Sequence, residues 1–320
     1  MKAWIIGFVV SAAFLLACEE ESDGANGENP DAESASSANE KIEGYKEYLA
    51  TLDKADVYSS QAAADSCLAL MEGASPRDRD RLFAAFYDYH EDNLGETMNL
   101  VQLSFDERDS VAAYLTDDPD NDEGEKIYHH YAQSPFKIRF VEQEYYSHVF
   151  LLVDIQWLEE TFEGKLGPES ERFLEFLNYL ERRPIRGVFA LNLKNVEERM
   201  VAASKLMREQ PEFLLYREVE YEYVHALIAY LTAINLKDGQ YGLVKYDVTK
   251  DNKILTPEMR KVMKNFVENN PDTRAAHDVG EFYELIKANE WRLYGKPAQY
   301  TNNLMVEQMK LAHPINTGEM

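Results

Sequence analysis

Cysteine is scarce in this chain of 320 residues, which contains only Cys18 and Cys67 and therefore cannot be a disulfide scaffold. Positive charge is scarce too, because 33 Lys and Arg stand against 58 Asp and Glu, giving a formal net charge of −25. Nucleic-acid backbones are bound by clustered basic surfaces, so this deficit excludes a general nucleic-acid binder. The chain is instead rich in core-forming residues, since 45% are hydrophobic and 12% aromatic. That supply is sufficient for one large or two modest domains.

The N-terminus carries a short apolar run from Trp4 to Ala17, preceded by Lys2. The run has the length of the hydrophobic region of a secretory signal and is too short to cross a bilayer as a helix. We therefore predict that residues 1–17 form an export signal.

The end of this run, Leu15-Leu16-Ala17-Cys18, resembles the lipobox of bacterial lipoproteins. The resemblance covers this segment alone. It implies that the Cys18 sulfur receives a diacylglyceryl group, that the chain is cleaved before Cys18, and that the lipid anchors the protein to a membrane. An ordinary signal peptide with a chance cysteine is the alternative interpretation.

The segment that follows is acidic, since residues 19–40 contain eight Asp and Glu, no Lys or Arg, and no aliphatic residue larger than alanine. Such a segment buries too little surface to offset its ordering entropy, so residues 18–40 are predicted to be a flexible tether. The triplet Glu19-Glu20-Glu21 resembles the surface-export signal of lipoproteins in the Bacteroidota; a plain solvated spacer is the alternative. We expect an outer-membrane protein on either the periplasmic face or the cell surface.

Residues 41–320 have apolar residues mostly at helical spacing and predict a mainly α fold, either a multi-helix globular domain or an irregular helical array. Helix starts are indicated at Ser75-Pro76, Ser134-Pro135 and Thr256-Pro257, where a hydroxyl would cap a helix that begins at the proline. Asn195, with Glu198 three residues later, resembles a capping box. The expected helices lie near residues 41–54, 58–72, 76–93, 106–115, 124–132, 135–163, 168–182, 195–209, 211–236, 257–269 and 279–293.

Strand signals are few, so at most a short β-hairpin is expected. The stretch 241–255 could hold one that turns at Asp251-Asn252, and 185–193 could form a strand. Cys67 lies among small and apolar residues at helical spacing, which predicts a buried, inert thiol.

One stretch, from Asp247 to Glu258, resembles a twelve-residue EF-hand calcium loop. The resemblance assigns side-chain oxygens of Asp247, Thr249, Asp251 and Glu258 and the carbonyl of Lys253 as ligands, with Ile254 at the apolar position. Asn252 stands where the loop needs a glycine, and Thr249 is a neutral ligand. A hairpin that leads into a helix started by Pro257 is the alternative.

A second acidic loop places Asp118, Asp120 and Asp122 at alternate positions, as calcium ligands often are, although His129 occupies the position of the final glutamate. A solvated loop is the alternative. A third candidate is Glu222 with His225, which share a helix face as in di-iron bundles; such bundles need a second pair, and Glu144 with His148 is only a weak substitute.

No nucleophile, base and orienting group occur together in this sequence. The function expected is therefore a cell-envelope lipoprotein with a non-enzymatic binding or structural module for a protein, peptide or glycan ligand. It requires no cofactor, and calcium is the one candidate ligand among ions. A hydrolase or metal-dependent enzyme, with a site assembled from distant residues, is the alternative.

Overall fold

The structure is a computed structural model that describes residues 30–100, 110–111, 113–115, 120–143, 146–184, 192–233, 244–247 and 252–312. Helices dominate it, which confirms the mainly α prediction. The helices are α1 Pro30–Leu49, α2 Ser59–Met71, α3 Pro76–Leu100, α4 Asp122–Ala132, α5 Ile155–Thr161, α6 Pro168–Glu181, α7 Leu193–Glu209, α8 Tyr216–Ala233, α9 Pro257–Asn269, α10 Arg274–Ala288 and α11 Lys296–Ala312. The strands are β1 Phe136–Gln143, β2 Tyr146–Val153, β3 Val244–Asp247 and β4 Asn252–Leu255.

Side-chain caps set several of these helix starts. The Ser75 hydroxyl accepts a hydrogen bond from the Asp78 amide (3.2 Å), and the Thr256 hydroxyl accepts one from the Met259 amide (3.3 Å). Both starts were predicted. Helix α7 is instead capped by Asn192, so the predicted cap, Asn195, is the residue whose amide donates to it (3.1 Å).

The predicted helix over 135–163 is wrong, because β1 and β2 form an antiparallel hairpin that runs from the Phe136↔Val153 pair to the Gln143↔Tyr146 pair. These segments are rich in β-branched and aromatic residues, which favour strands. The Ser134 hydroxyl donates to the Tyr131 carbonyl (2.6 Å), so it closes α4 and does not start a new helix.

A second hairpin pairs β3 with β4, from Val244↔Leu255 to Asp247↔Asn252. The turn of this hairpin, residues 248–251, lies outside the described residues, as does the possible strand at 185–191. The described residues therefore contain two hairpins where at most one was expected.

The helix boundaries differ from the sequence prediction in several other places. Helix α1 begins at Pro30, within the segment expected to be a tether, and α10 begins at Arg274 because the Thr273 hydroxyl caps it (3.1 Å to the Ala276 amide). Helix α11 was not predicted. Its partly buried residues Tyr300, Leu304 and Leu311 pack against the core.

One apolar core connects the helices from α1 to α11 except α4, and its largest fully buried side chains include Phe83, Phe86, Phe162, Phe173, Tyr223 and Phe282. A smaller cluster of Val57, Phe136 and Leu151 lies under the first hairpin. Cys67 is buried as expected, and burial raises the pKa of its thiol to about 12, so it is unreactive. Within the described ranges, none of the helices is long and apolar enough to cross a bilayer.

The start of α6 is capped from another helix. Gly167, at the cap position, has no side chain to offer, and Asp80 of α3 accepts a hydrogen bond from the Ser170 amide instead (2.9 Å). A Cβ atom at Gly167 would lie 2.2 Å from the Pro76 carbonyl oxygen and 2.4 Å from the Asp80 carboxyl. Glycine is therefore required at this position so that α3 and α6 can approach each other.

Candidate functional site

Helix α3 carries two polar clusters on different faces. The histidine cluster consists of Ser60 from α2 and His90, Asn93 and Thr97 from α3. The carboxylate cluster consists of Asp88 and Glu91 from α3 and Glu218 and Glu222 from α8.

In the histidine cluster, the Asn93 side-chain amide donates to the carbonyls of Lys54 (2.8 Å) and Asp56 (2.9 Å). Its oxygen is therefore the acceptor for the Ser60 hydroxyl (2.6 Å). The Ser60 oxygen in turn lies 2.9 Å from Nδ1 of His90, so Nδ1 carries the proton and donates to it. The network fixes one tautomer of the imidazole.

The His90 ring is stacked among aromatic rings, with centroid distances of 4.7 Å to Phe136, 5.6 Å to Phe86 and 5.7 Å to Trp157. Its Nε2 atom is buried and has no hydrogen-bond partner among the described residues. Burial lowers the pKa of His90 to about 3, so the ring is neutral at physiological pH. Ser60 and His90 are spaced like a nucleophile and its base, but both are 0% exposed, so a substrate cannot reach them.

The carboxylate cluster brings ionisable groups of α3 and α8 together. Asp88 and Glu218 influence each other's pKa values, and the Tyr87 hydroxyl beside Glu91 lowers the pKa of that carboxyl. On the α7 side, Arg199 donates to the Glu222 carboxylate at 2.6 Å. Unlike the histidine cluster, this cluster reaches the surface.

Burial, followed by the negative charges of Glu218, Glu222 and Asp88, raises the pKa of Glu91 to about 8. Burial is also the main cause that raises the pKa of Asp88 and of Glu218. Asp88 and Glu91 keep substantial solvent-exposed area, which moderates the effect for them, whereas Glu218 is only 9% exposed. Glu218 is thus the member whose charge is most costly to bury.

A shallow groove of about 250 Å³ lies beside this cluster, between α1 and α3. Its polar lining consists of Lys46, Lys54, Asp88, Tyr89 and Asp92, and Lys54 is paired with Asp92 at 2.6 Å. Asp88 connects the groove to the carboxylate cluster. Titratable groups with shifted pKa values beside a groove are a candidate for a functional site.

A second groove of about 370 Å³ lies among the ends of α8, α10 and α11 and is lined by residues that include Leu231, Phe282, Leu293, Tyr294 and Met305. Apolar side chains continue from it along the outer side of α11. Four of them are strongly exposed and define the α11 face: Tyr294 (46%), Met305 (40%), Val306 (51%) and Met309 (68%).

The first predicted calcium loop is described only in part. Asp247 ends β3, Lys253 lies in β4 and Glu258 lies in the first turn of α9, whereas Thr249 and Asp251 are outside the described residues. The strand β3 precedes this loop, whereas a helix precedes the calcium loop of an EF-hand. The hairpin that was the alternative is present, and calcium binding by these residues remains a prediction.

In the second predicted loop, Asp118 is outside the described residues, Asp120 lies in a turn and Asp122 starts α4. The side chain of Asn121 caps that helix by accepting from the Gly124 amide (2.8 Å). Across the described part of the chain, no group of three or more His, Cys, Asp or Glu side chains is placed to hold a metal ion.

The neighbours of Glu222 and His225 also differ from those that a di-iron site would require. Glu222 is bound to Arg199, and His225 lies beside the Tyr221 ring (6.2 Å between centroids). Of the proposed second pair, Glu144 is outside the described residues and His148 lies in β2.

Sequence reasoning missed the α3 members of both clusters. The segment Tyr87-Asp-Tyr-His-Glu91 contains a hydroxyl and a carboxyl four residues apart, a spacing that places them on one helix face. This spacing was the only local indication of the cluster, and the partner residues on α8 are far away in the chain. Comparison of the chain with protein-family models, with curated proteins and with solved structures found no match.

Proposed function

We propose that this protein is a cell-envelope lipoprotein whose helical domain binds a protein partner from an acidic membrane tether. The observation that carries the proposal is the apolar run that stops at Cys18, followed at once by an acidic segment. A lipid on Cys18 would hold the protein at the outer membrane, and the spacer would give the folded domain reach. The acidic triplet at 19–21 favours the cell surface over the periplasmic face.

The α11 face is the surface that best supports a binding role. Met305, Val306 and Met309 lie on one side of the helix, and they continue the apolar groove next to Tyr294. Exposed apolar patches beside a groove are typical of protein interaction sites, and methionine adapts to irregular partner surfaces. Because the net charge of the chain is −25, the partner expected is a protein with an apolar contact surface and a basic rim.

One observation favours the alternative, an envelope hydrolase. Glu91 has a pKa raised to about 8, so it can donate a proton at neutral pH, and Glu222 lies in the same cluster beside Arg199. Two carboxyl groups in different environments are the usual arrangement for general acid and base catalysis. Loss of hydrolytic activity in Glu91→Gln, with the fold intact, would favour this function.

The anchor is tested by metabolic palmitate labelling of Cys18→Ala in bacterial cells. The variant should lose its label and leave the membrane fraction, whereas Cys67→Ala should keep both, because Cys67 is buried in α2. A Cys18→Ala protein that still incorporates label would overturn the lipoprotein assignment. Protease treatment of whole cells distinguishes the two faces of the membrane, since a surface domain is digested before the outer membrane is permeabilised.

The binding surface is tested by a photo-crosslinking residue at Met309, compared with one at Leu214, which is 46% exposed in the turn before α8. A discrete adduct with a second protein is expected at Met309 alone, and Met305→Asp should remove it. Identical adducts at both positions would exclude the α11 face. An adduct of two copies of this chain would replace the proposed partner by self-association.

A further inference from the structure

Helix α4 and the first hairpin lie outside the large apolar core. Strand β1 packs on α4 and β2 packs on α3, and we call residues 122–143 and 146–152 the hairpin module. Beneath the module is the smaller apolar cluster, whose members and packed neighbours are Val57, Leu94, Tyr131, Phe136, Ile138 and Leu151. Because these contacts are separate from the large core, the module can open while the helices of that core stay folded.

Three further contacts attach the module to the rest of the protein. The Phe136 ring of β1 stacks on His90 of α3, with 4.7 Å between centroids and 19° between planes. The Tyr58 hydroxyl donates to the carbonyl of His130 in α4 (2.7 Å), and Lys137 of β1 pairs with Glu181 of α6 (2.8 Å) on the surface. Of the three, the stack on His90 is the one that water does not reach, since His90 is 0% and Phe136 1% exposed.

In this closed arrangement His90 has no favourable place for a second proton. Its Nδ1 already carries the proton that it donates to Ser60 (2.9 Å), and its Nε2 is buried without a hydrogen-bond partner among the described residues. A proton on Nε2 would put an unpaired donor and a positive charge among the rings of Phe86, Phe136 and Trp157. The faces of those rings attract a cation, but this attraction does not replace the hydration that a buried charge loses.

The charged groups on the surrounding elements do not compensate that cost, because their side chains are engaged elsewhere. Lys54 pairs with Asp92 (2.6 Å), the Asp56 carboxylate accepts from the Tyr58 amide (3.0 Å), and the Asp154 carboxylate accepts from the Trp157 amide at the start of α5 (3.2 Å). Lys137 pairs with Glu181, and Glu91 belongs to the carboxylate cluster on another face of α3. The Tyr87 ring lies 6.4 Å from His90, and burial raises the pKa of Tyr87, so it stays uncharged.

We propose that His90 is an acid-sensitive latch for the hairpin module, which stays closed on α3 while the ring is neutral and opens when the ring takes up a proton. Opening brings the imidazole into water, where its charge is hydrated. It also uncovers the apolar side chains of Phe136 and Leu151. A two-stranded hairpin is marginally stable on its own, so β1 and β2 lose their protection from solvent once they leave α3.

The direction of the pH effect follows from the burial of a base. Burial lowers the pKa of His90 from its ordinary 6.5 to about 3 in the closed form. Between these values the open form binds more protons than the closed form, so the closed form loses stability as the pH falls from 6.5 towards 3. In this window the equilibrium constant for opening rises by up to about tenfold per pH unit. That the latch would respond to the pH of the medium rests on the proposed function, whereas the latch itself does not.

The test is hydrogen–deuterium exchange of the purified full-length chain in detergent at pH 7 and pH 4.5, with each rate corrected for the intrinsic effect of pH. The protection of amides in β1 and β2 should fall by about tenfold to 100-fold at the lower pH. Amides of α9, a helix of the large core, should keep their protection. Unchanged protection of the hairpin, or a parallel loss in α9, would overturn the latch.

Two variants assign the effect to the ring. His90→Phe keeps an aromatic ring against Phe136 but cannot take up a proton, so its hairpin should be protected equally at both pH values. His129→Phe is the matched control, since His129 is an exposed histidine of α4, and it should behave as the wild-type protein does. Acid-dependent exchange that persists in His90→Phe would assign the opening to another group.

A measurement on the wild-type protein covers the case in which His90→Phe does not fold. Long-range proton–nitrogen NMR spectra of the seven histidine rings should show one ring that remains neutral, with its proton on Nδ1, down to pH 5. Titration of all seven rings near pH 6.5 would contradict the latch, even if the hairpin opened in acid. Both measurements use purified protein, so their outcome is independent of where the cell places it.

Discussion

The two polar clusters of α3 both contain ionisable groups whose pKa values are shifted by burial, but in opposite directions. In the histidine cluster, His90 stays neutral by not accepting a proton, and every polar contact of Asn93 is made with neutral groups. In the carboxylate cluster, burial raises the pKa of Glu91 to about 8 and that of Glu218 above its ordinary value. Burial penalises charge in both, but a base and an acid respond by shifting their pKa values in opposite directions.

The two clusters therefore predict opposite pH dependence on one helix. His90 has a pKa of about 3 when folded and 6.5 ordinarily, so its contribution to stability is lost as the pH falls from 6.5 towards 3. The contribution of Glu91 is lost as the pH rises from 4.5 to about 8. One helix thus limits the stable pH range from both sides.

The largest effect is expected from His90→Ala, which removes a ring stacked on Phe136 and Trp157 and leaves the Ser60 hydroxyl without its donor. The free energy of unfolding should fall by about 3 kcal/mol at pH 7, measured by urea denaturation. The difference from the wild-type protein should shrink on acidification, because only the wild-type unfolded chain gains that proton. His129→Ala, on exposed α4, should change stability by less than about 0.5 kcal/mol. If the difference in unfolding free energy between the two proteins grew as the pH fell, the assignment of a neutral His90 would be contradicted.

A smaller loss, of about 2 kcal/mol, is expected for Arg199→Ala, because it leaves Glu222 in a cluster that is already acidic. The loss should be greater at pH 8 than at pH 6, where more of the acids are protonated. Urea denaturation at the two pH values measures the difference, and Lys205→Ala, an exposed change on the same helix, should have little effect at either. An equal loss at both pH values would mean that Arg199 acts only through its carbonyl contacts.

Calcium binding is predicted for the loop from Asp247 to Glu258, where the ion would neutralise acidic side chains. If ligand oxygens of Asp247 and Glu258 bind it, calcium at ten times the dissociation constant should stabilise the fold by about 1.4 kcal/mol. Calorimetry and the melting temperature at 10 mM calcium measure this gain. Glu258→Gln should remove most of it, whereas Asp122→Asn should not. No heat and no shift in the wild-type protein would leave the hairpin with a structural role alone.

The smallest effect is expected from Tyr87→Phe, which removes the hydroxyl that bonds Glu91 and should cost about 1 kcal/mol. Because that hydrogen bond lowers the pKa of Glu91, its loss should move the Glu91 titration to higher pH in a carboxyl NMR titration. The exposed Tyr48→Phe serves as the comparison. An unshifted Glu91 would show that the two side chains do not interact in solution.

Local signals predicted local structure well, whereas both clusters depend on distant residues. The Thr256-Pro257 signal gave the start of α9, because a cap and a proline act within one turn. The Ser134-Pro135 signal wrongly predicted a helix start, since the same hydroxyl can close the preceding helix. Glu222 was noticed with His225 on one helix face, but its partner Arg199 comes from another helix. The spacing of residues in the sequence does not indicate that such distant residues are neighbours in the folded protein.

The cap that Asp80 provides for α6 has a consequence for the order of folding. A helix with a cap in its own sequence can begin as soon as its residues meet, but the amide of Ser170 finds its acceptor ninety positions away in the chain. The first turn of α6 is therefore completed only after a long loop has closed and α3 has arrived. Because Gly167 also lies close to the Pro76 carbonyl, we expect the two helix starts to assemble together, after the intervening chain has folded back.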